Sequence, residues 1–211
     1  MCSLAPINVP EFSGIPGCSS KECNFEYNYL SANITVKNRD KYLEINTDTD
    51  GEKEVRSDSL LSGFGRIENI RLYSPAINNY KDNKIVAELI IIHKGTENTN
   101  KTVTLCIPIK QTVSSFPTTL DHNLFSNICK NASMSRNIPK NVRVPNFTLN
   151  DIIPINGRYL LLKNAQGTWQ LGGGNRCIES DSKDSSIIFF NKRYARSILK
   201  KDVDDLRRKI N

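Results

Sequence analysis

Histidine is nearly absent from this chain of 211 residues, which contains only His93 and His122. Three imidazoles hold the metal in one large class of catalytic zinc centres, so the sequence excludes a centre of that kind. Long apolar runs are missing too. The longest mainly apolar run, AELIII, has the length of a strand, whereas a transmembrane helix needs about 20 such residues.

Dense runs of one charge are also lacking. The chain has 29 Lys and Arg against 22 Asp and Glu, a net charge of +7, but these residues are scattered along it. The positive balance favours anionic partners. Because no nucleic-acid-binding module is recognisable, we expect no nucleic-acid partner. The first residues, MCSLAPINVPEF, show neither the basic nor the apolar region of a secretory signal.

The six cysteines fit no zinc-binding spacing, although their number is even. Cys18 and Cys23 bracket a short polar loop and are the candidates for a local disulfide. Cys106, in the run TVTLCIPI, has the pattern of a small buried residue on a strand. Free or structural thiols are the favoured interpretation of the set, with one or two disulfides as the alternative.

Strand patterning dominates what the chain does contain. Alternating or continuously apolar segments, separated by Asn, Asp and Gly, predict strands at FEYNYL, NITVKN, KYLEINTD, IENIRLYS, VAELIIIHK, KTVTLCIPIKQ, YLLLKN, TWQL and SSIIFFN. Leu120, Leu124 and Ile128 have helical spacing and predict a helix over about 117–137. A second short helix is predicted at LKKDVDDLRRKI, whose charges complement the helix dipole. The sequence therefore predicts one mainly β domain over residues 1–211 with peripheral helices.

The order of these motifs resembles that of the alpha-carbonic anhydrases. The segments that carry the resemblance are LAPINV, VKNRDKYLEIN, NIRLY, AELIIIHKG, VPNFTLNDIIP and SSIIFFNKRYARSILKKDVDDLRR. Together they cover nearly the whole chain. The resemblance implies a central twisted, mostly antiparallel sheet with short peripheral helices. It also implies that the family's C-terminal segment is not present, so that the natural protein would extend past Asn211.

The same resemblance implies that the zinc site is lost. The positions of the three ligating histidines correspond to Arg71, Tyr73 and Ile90. Arginine stays protonated and isoleucine has no lone pair, so neither can bind zinc. We expect no metal, no cofactor and no enzymatic activity. His93 corresponds to a histidine of the family that does not bind the metal, and we expect structural roles for His93 and His122.

The surroundings of the lost zinc differ as well. The proton-shuttle histidine of the family corresponds to Lys41, and the glutamate that orients the zinc-bound hydroxide corresponds to Ile77. LGGGN at 171–175 stands where the family has its active-site loop. Glu88 is retained, and we expect it to pair with Arg71 or another base.

Basic residues suggest a different use for the concave face. Arg71 is expected at its floor, with Arg39, Lys41, Lys81 and Lys84 around the mouth. A guanidinium offers two parallel donors to sulfate or carboxylate, and lysines add point charges. The alternatives are that Arg71 forms an internal pair with Glu88 or Glu68, and that the other four are ordinary solvated residues.

The poxvirus cell-surface-binding envelope protein, a viral carbonic-anhydrase-like protein, has lost the zinc site and uses basic surface to bind chondroitin sulfate. The chain resembles this type. The implied function is attachment of a virion to host glycosaminoglycans, with the protein on the virion surface and membrane contact only through an anchor outside this chain. The alternative is a structural virion or capsid component that uses the fold to contact other virion proteins.

Overall fold

The computed structural model describes most of the sheet and both helices. The described residues are Val9, Tyr29, 31–48, 64–95, 101–112, 119–142, 144, 147–154, 159–164, 169–171, 178–180 and 184–210. Cys18, Cys23, all of the predicted strand FEYNYL except Tyr29, and residues 172–175 of LGGGN lie outside this part of the chain.

A single mixed sheet forms the body of the described structure. Numbered in chain order, the strands are β1 Ile34–Asn38, β2 Leu43–Thr47, β3 Phe64–Tyr73, β4 Ile85–Gly95, β5 Lys101–Thr112, β6 Pro139–Val142, β7 Tyr159–Asn164, β8 Trp169–Leu171, β9 Ile178–Ser180, β10 Asp184–Phe190 and β11 Arg196–Leu199. The sheet order is β6-β1-β2-β3-β4-β5-β10-β7, with β11 also beside β5, while β8 and β9 pair separately. Only β10 and β11 run parallel to β5 within the described sheet. The predicted mainly β, mostly antiparallel architecture is therefore confirmed.

Two helices cover one face of the sheet. Helix α1 spans Thr119–Asn131 and helix α2 spans Lys200–Ile210. Val203, Leu206 and Ile210 recur at helical spacing on α2 and join the larger core cluster with the alternate residues of the strands, such as Leu89 and Ile91. The other alternate residues, among them Ile90, Cys106 and Phe189, form a smaller cluster on the opposite face. Strands β4 and β5, at the centre of the sheet, are thus buried on both faces, which explains their nearly continuous apolar sequences.

Helix α1 ends earlier than the sequence predicts. It stops at Asn131 rather than near residue 137. Asn137 has φ of 59°, which a right-handed helix cannot accommodate. Asn38, on the end of β1, donates through Nδ2 to the carbonyls of Ser133 and Met134, at 3.3 and 3.2 Å. The segment after α1 therefore turns back over the end of β1 because a distant side chain satisfies its backbone.

Three short strands were missed by the sequence analysis. They are β6, β9 and β11, of three or four residues each. Strand β6 is largely exposed and begins with Pro139, so its sequence lacks the apolar alternation of a strand. Each of the three is a strand because it pairs with a partner strand, and its own sequence has no recognisable strand pattern.

His93 lies in the larger core, on the face covered by the helices. Its ring is fully buried, and its Nε2 is 2.8 Å from the hydroxyl oxygen of Tyr29. Burial lowers the pKa of His93 from 6.5 to about 4. These contacts agree with the predicted structural role. His122 falls within α1.

We expect His93 to make the fold sensitive to acid. Because the pKa of His93 is about 4 in the folded chain and 6.5 when exposed, the unfolded chain binds more protons between these pH values. The unfolding free energy should fall by about 3 kcal/mol from this group as the pH drops from 7 to 4. Urea unfolding across that range measures the effect.

The variant His93→Gln tests this assignment. Glutamine keeps a hydrogen-bonding group but cannot titrate, so the unfolding free energy of the variant should depend less on pH than that of the native chain. Carboxyl groups that titrate in the same range affect both proteins alike. An equal slope in the two proteins would contradict the assignment to His93.

Candidate functional site

The register of β3 and β4 brings the three predicted replacement positions together. Arg71 lies directly opposite Ile90, and Tyr73 lies opposite Glu88. On β2, the strand on the other side of β3, Glu44 lies opposite Arg71. Since side chains alternate along a strand, these residues all project from the face away from the helices. The structure therefore assembles Arg71, Tyr73 and Ile90 at one place on the sheet.

The chemistry of these three side chains does not suit a metal ion. Ile90 is fully buried, and Tyr73 is 1% exposed. Burial raises the pKa of Tyr73 to about 12, so its hydroxyl stays protonated at neutral pH. Arg71 carries a permanent positive charge. No cluster of three or more His, Cys, Asp or Glu side chains suited to a metal occurs among the described residues.

Arg71 is held by an amide, an aromatic ring and the hydroxyl of Tyr73. Its Nε donates to Oδ1 of Asn69 at 3.1 Å, and its guanidinium carbon lies 5.0 Å from the centroid of the Tyr42 ring. The Tyr42 ring in turn lies 5.0 Å from that of Tyr73, between centroids. This cation–π contact orients the guanidinium without neutralising it. Arg71 is only partly buried, so it is accessible to an anion.

The expected pairing of Arg71 with a glutamate was wrong. Glu68 pairs with Lys94, with Oε1 and Nζ 3.1 Å apart, at an exposed position. Glu88 accepts its hydrogen bonds from uncharged groups. Both acids therefore bond to groups other than the Arg71 guanidinium.

Glu88 is the centre of a buried polar cluster. Its Oε2 accepts from the backbone N–H groups of Ile77 and Asn78, both at 3.0 Å. Its Oε1 accepts from Nδ2 of Asn78 at 3.0 Å and from the hydroxyl of Tyr80 at 2.5 Å. Burial raises the pKa of Glu88 above 4.5, although these donors work in the opposite direction. A base is thus not needed to hold this carboxyl, contrary to our expectation.

The roles of Asn78 and Tyr80 were missed by the sequence analysis. Both lie in the irregular segment between β3 and β4. The signal in the sequence was weak: an amide and a phenol eight to ten residues before an acid that lies within an apolar strand. Ile77 bonds Glu88 through its backbone N–H. The identity of its side chain therefore gave no indication of this hydrogen bond.

Arg39 is committed to an ion pair. Its Nε and Nη2 donate to the two carboxylate oxygens of Glu44 at 2.9 and 3.0 Å, and its Nη1 donates to Oδ1 of Asn137 at 2.5 Å. Burial by itself raises the pKa of Glu44, but hydrogen bonds from Arg39 and Asn46 outweigh it and hold that pKa below 4.5. Arg39 is therefore occupied by contacts within the protein, and its charge is less available to a ligand.

The three predicted lysines lie at one end of the sheet. Lys41 is in the turn between β1 and β2, and Lys81 and Lys84 precede β4. Lys81 and Lys84 are exposed, whereas Lys41 is half-buried. Lys81 has φ of 50°, and its N–H donates to Oδ1 of Asn79 at 3.0 Å, which stabilises the turn. None of the ion pairs between described residues involves these three ammonium groups.

The two cysteines that the structure describes are both free and buried. Cys106 lies on β5 opposite Ile90, as the sequence predicted for a small apolar strand residue. Cys129 lies in α1, and both side chains are fully buried. Burial raises the pKa of both thiols, so neither has the character of a nucleophile.

Comparison with solved structures identifies the fold. The alpha-carbonic anhydrase of Thermovibrio ammonificans, solved with sulfanilamide, superposes with a TM-score of 0.67 over 99% of this chain and 79% of its own, at 12% identity. The fold is that of the alpha-carbonic anhydrases. The Photobacterium profundum enzyme gives a TM-score of 0.66 over 99% of this chain and 81% of its own, at 10% identity. Dioscorin complexed with ascorbate gives 0.58 over 89% and 69%, at 11% identity.

Comparison at the level of sequence finds no match. No protein-family model and no curated protein matches the chain. The similarity is therefore carried by the carbonic-anhydrase-like architecture, which agrees with the predicted fold. Among the described helices, none combines the length and apolar character needed to cross a membrane.

Loss of the Glu88 carboxylate should be costly. Glu88→Ala would leave the two backbone N–H groups, the Asn78 amide and the Tyr80 hydroxyl without their acceptor in a buried region. We expect the unfolding free energy to fall by about 3 kcal/mol or more, measured by urea denaturation. Glu68→Ala is the matched control on the neighbouring strand. Its pair with Lys94 is exposed, so the change should stay within about 1 kcal/mol. Equal losses would contradict the role of the buried cluster.

Proposed function

We propose that this chain is a catalytically inactive carbonic-anhydrase-like protein in which Arg71, Tyr73 and Ile90 occupy the positions of the three zinc ligands. The support is their joint placement on one face of the sheet, at β3 and β4, in the order that the sequence resemblance requires. A zinc ion would have to displace a fully buried isoleucine and lie against a permanent cation. We therefore propose that the chain binds a ligand and does not catalyse the carbonic anhydrase reaction.

The ligand that we propose is a sulfated glycosaminoglycan on a host cell surface. The observation that carries this is the state of Arg71, whose described partners are all uncharged: the Asn69 amide oxygen, the Tyr42 ring and the Tyr73 hydroxyl. A guanidinium held this way keeps its charge and can offer two parallel donors to a sulfate or carboxylate. Positioning by Tyr42 and Asn69 reduces the side-chain entropy that binding would otherwise cost.

The other basic residues would contribute unequally. Lys41, Lys81 and Lys84 share one end of the sheet and would supply mobile point charges along an extended polyanion. Arg39 would instead hold Glu44, the carboxylate that faces Arg71 across β2 and β3. With a net charge of +7, the whole chain would also attract a polyanion at long range.

A surface location follows from this ligand. The proposed role is viral attachment, with the protein on the virion surface, and it rests on the resemblance to inactive viral relatives of the fold. Dioscorin, which shares the architecture, was solved with ascorbate and so shows an organic ligand on this fold. That ligand belongs to dioscorin, and the glycosaminoglycan is our proposal for the present chain.

The test is binding to chondroitin sulfate and heparin over a salt series. Affinity should fall as salt rises, since the contacts are between charges near the surface. Arg71→Ala should weaken binding at low salt by about ten- to a hundredfold, because it removes charge-assisted hydrogen bonds. Lys41→Ala should have a smaller effect of a few fold. Calorimetric titration or surface plasmon resonance measures all of these.

Arg208→Ala serves as the matched control. Arg208 is exposed on α2, in the helix layer on the opposite face of the sheet, and its loss changes the net charge by the same amount. Affinity should change by less than about twofold in this variant. Equal weakening by Arg208→Ala and Arg71→Ala would show a diffuse charge effect. Absence of binding at low salt would refute the glycosaminoglycan proposal.

A further inference from the structure

Two exposed apolar side chains lie in one short loop between α1 and β6. Met134 is 56% exposed and Ile138 is 46% exposed. Among the described residues only one other large apolar side chain is exposed, Tyr194 at 42%. Single exposed apolar residues are ordinary, but two within five residues of one loop form a local feature. We refer to residues 132–138 as the connecting loop.

The connecting loop is held rigidly by the end of β1. Buried Asn38 donates through Nδ2 to the carbonyls of Ser133 and Met134, and its own carbonyl accepts from the N–H of Asn137 at 2.8 Å. Arg39 reaches the side-chain oxygen of Asn137 from the same side. Bonds at both ends of the loop fix its backbone, so a partner would not have to order it on binding.

The end of α2 holds the connecting loop from the other side. Nδ2 of Asn38 also donates to the carbonyl of Lys209 at 2.5 Å. Nζ of Lys209 donates to the carbonyl of Ala132, likewise at 2.5 Å. The two helices and β1 therefore meet beneath the loop, while Met134 and Ile138 remain exposed above it.

The surroundings of the two apolar side chains are basic. Lys130, Arg136 and Lys140 are exposed, and residues 130–142 contain no Asp or Glu. A neighbouring carboxylate, Asp40, already pairs through Oδ1 with Nη2 of Arg136 at 2.8 Å. An apolar centre within a cationic rim favours a partner with apolar side chains flanked by carboxylates.

The adjoining strand argues against addition of another strand. Strand β6 is four residues long and begins with Pro139, which has no N–H to donate. Short length, proline and exposed lysine are features that protect a sheet edge from pairing. A partner at this position would therefore use side-chain contacts rather than a backbone ladder.

We propose that the connecting loop, with Met134, Ile138 and the cations around it, is a docking surface for an acidic segment of a partner protein that carries apolar anchors. Methionine suits such a surface because its flexible, polarizable side chain adapts to different shapes. This surface adjoins the residues assigned to glycosaminoglycan, since Arg39 contacts Asn137 and Asp40, beside Lys41, pairs with Arg136. The proposal nevertheless rests on different side chains and does not depend on that function.

The test selects ligands from a random dodecapeptide library displayed on phage, with the whole chain as bait, and measures the enriched peptides by fluorescence polarisation. Enriched peptides should combine Asp or Glu with an aromatic or aliphatic residue. The double variant Met134→Ser/Ile138→Ser should weaken their affinity by at least about tenfold, since both anchors contribute. Lys140→Glu should weaken it as well, by repelling the acidic residues.

Matched variants control for general surface effects. Tyr194→Ser removes the third exposed apolar side chain, and Lys201→Glu reverses an exposed charge on α2; each should leave affinity within about twofold. The proposal is overturned if no peptide is enriched, if the enriched peptides lack acids, or if they bind the double variant equally. It is also overturned if the chain forms dimers in sedimentation velocity that the double variant abolishes, because the occupant would then be a second copy.

Discussion

The pairing register of β3 and β4 is the constraint on which the site depends. Because side chains alternate along a strand, a slip of β3 by one residue would turn Arg71 toward the helix-covered core and bring Ile70 and Leu72 to the other face. The register places Arg71 against Ile90 and Tyr73 against Glu88. It is enforced by the apolar residues between them, since Leu72 and Leu89 must reach the core beneath the helices.

Each ionisable group on this face is stabilised in a different way. Glu88 is fully buried and relies on neutral donors, Glu44 relies on an ion pair with Arg39, and Arg71 relies on an aromatic ring, an amide and the Tyr73 hydroxyl. The first two carboxyl groups are saturated by their own neighbours, and a buried charge without such partners would be costly. Arg71 differs because it is partly exposed and has no direct carboxylate partner among the described residues. This contrast is the reason for assigning the ligand to Arg71.

The sequence predicted the parts of the molecule that follow from local patterns. Alternating or continuous apolar residues predicted β1 to β5, β7, β8 and β10, and charge placement predicted α2. The order of motifs correctly anticipated the carbonic-anhydrase-like fold, which the structural comparisons support. Contacts between distant segments could not be predicted in this way. The stacking of Arg71 on Tyr42 requires the register of β2 with β3, and Asn38 meets Lys209 across 171 positions of sequence. The turn that follows the early end of α1 likewise depends on Asn38, which bonds the carbonyls of Ser133 and Met134, 95 and 96 positions away.

The central claim is that this face of the sheet presents a guanidinium where a zinc enzyme would present imidazoles. The most direct test is a titration with Co²⁺ followed by visible absorption, which reports tetrahedral coordination and separates thiolate from nitrogen ligands. The native chain should show no stoichiometric tetrahedral signal with nitrogen ligands. Arg71→His/Tyr73→His/Ile90→His, checked for folding by circular dichroism, should gain one equivalent of such a site. One equivalent of tetrahedral, nitrogen-bound Co²⁺ in the native chain would contradict the claim.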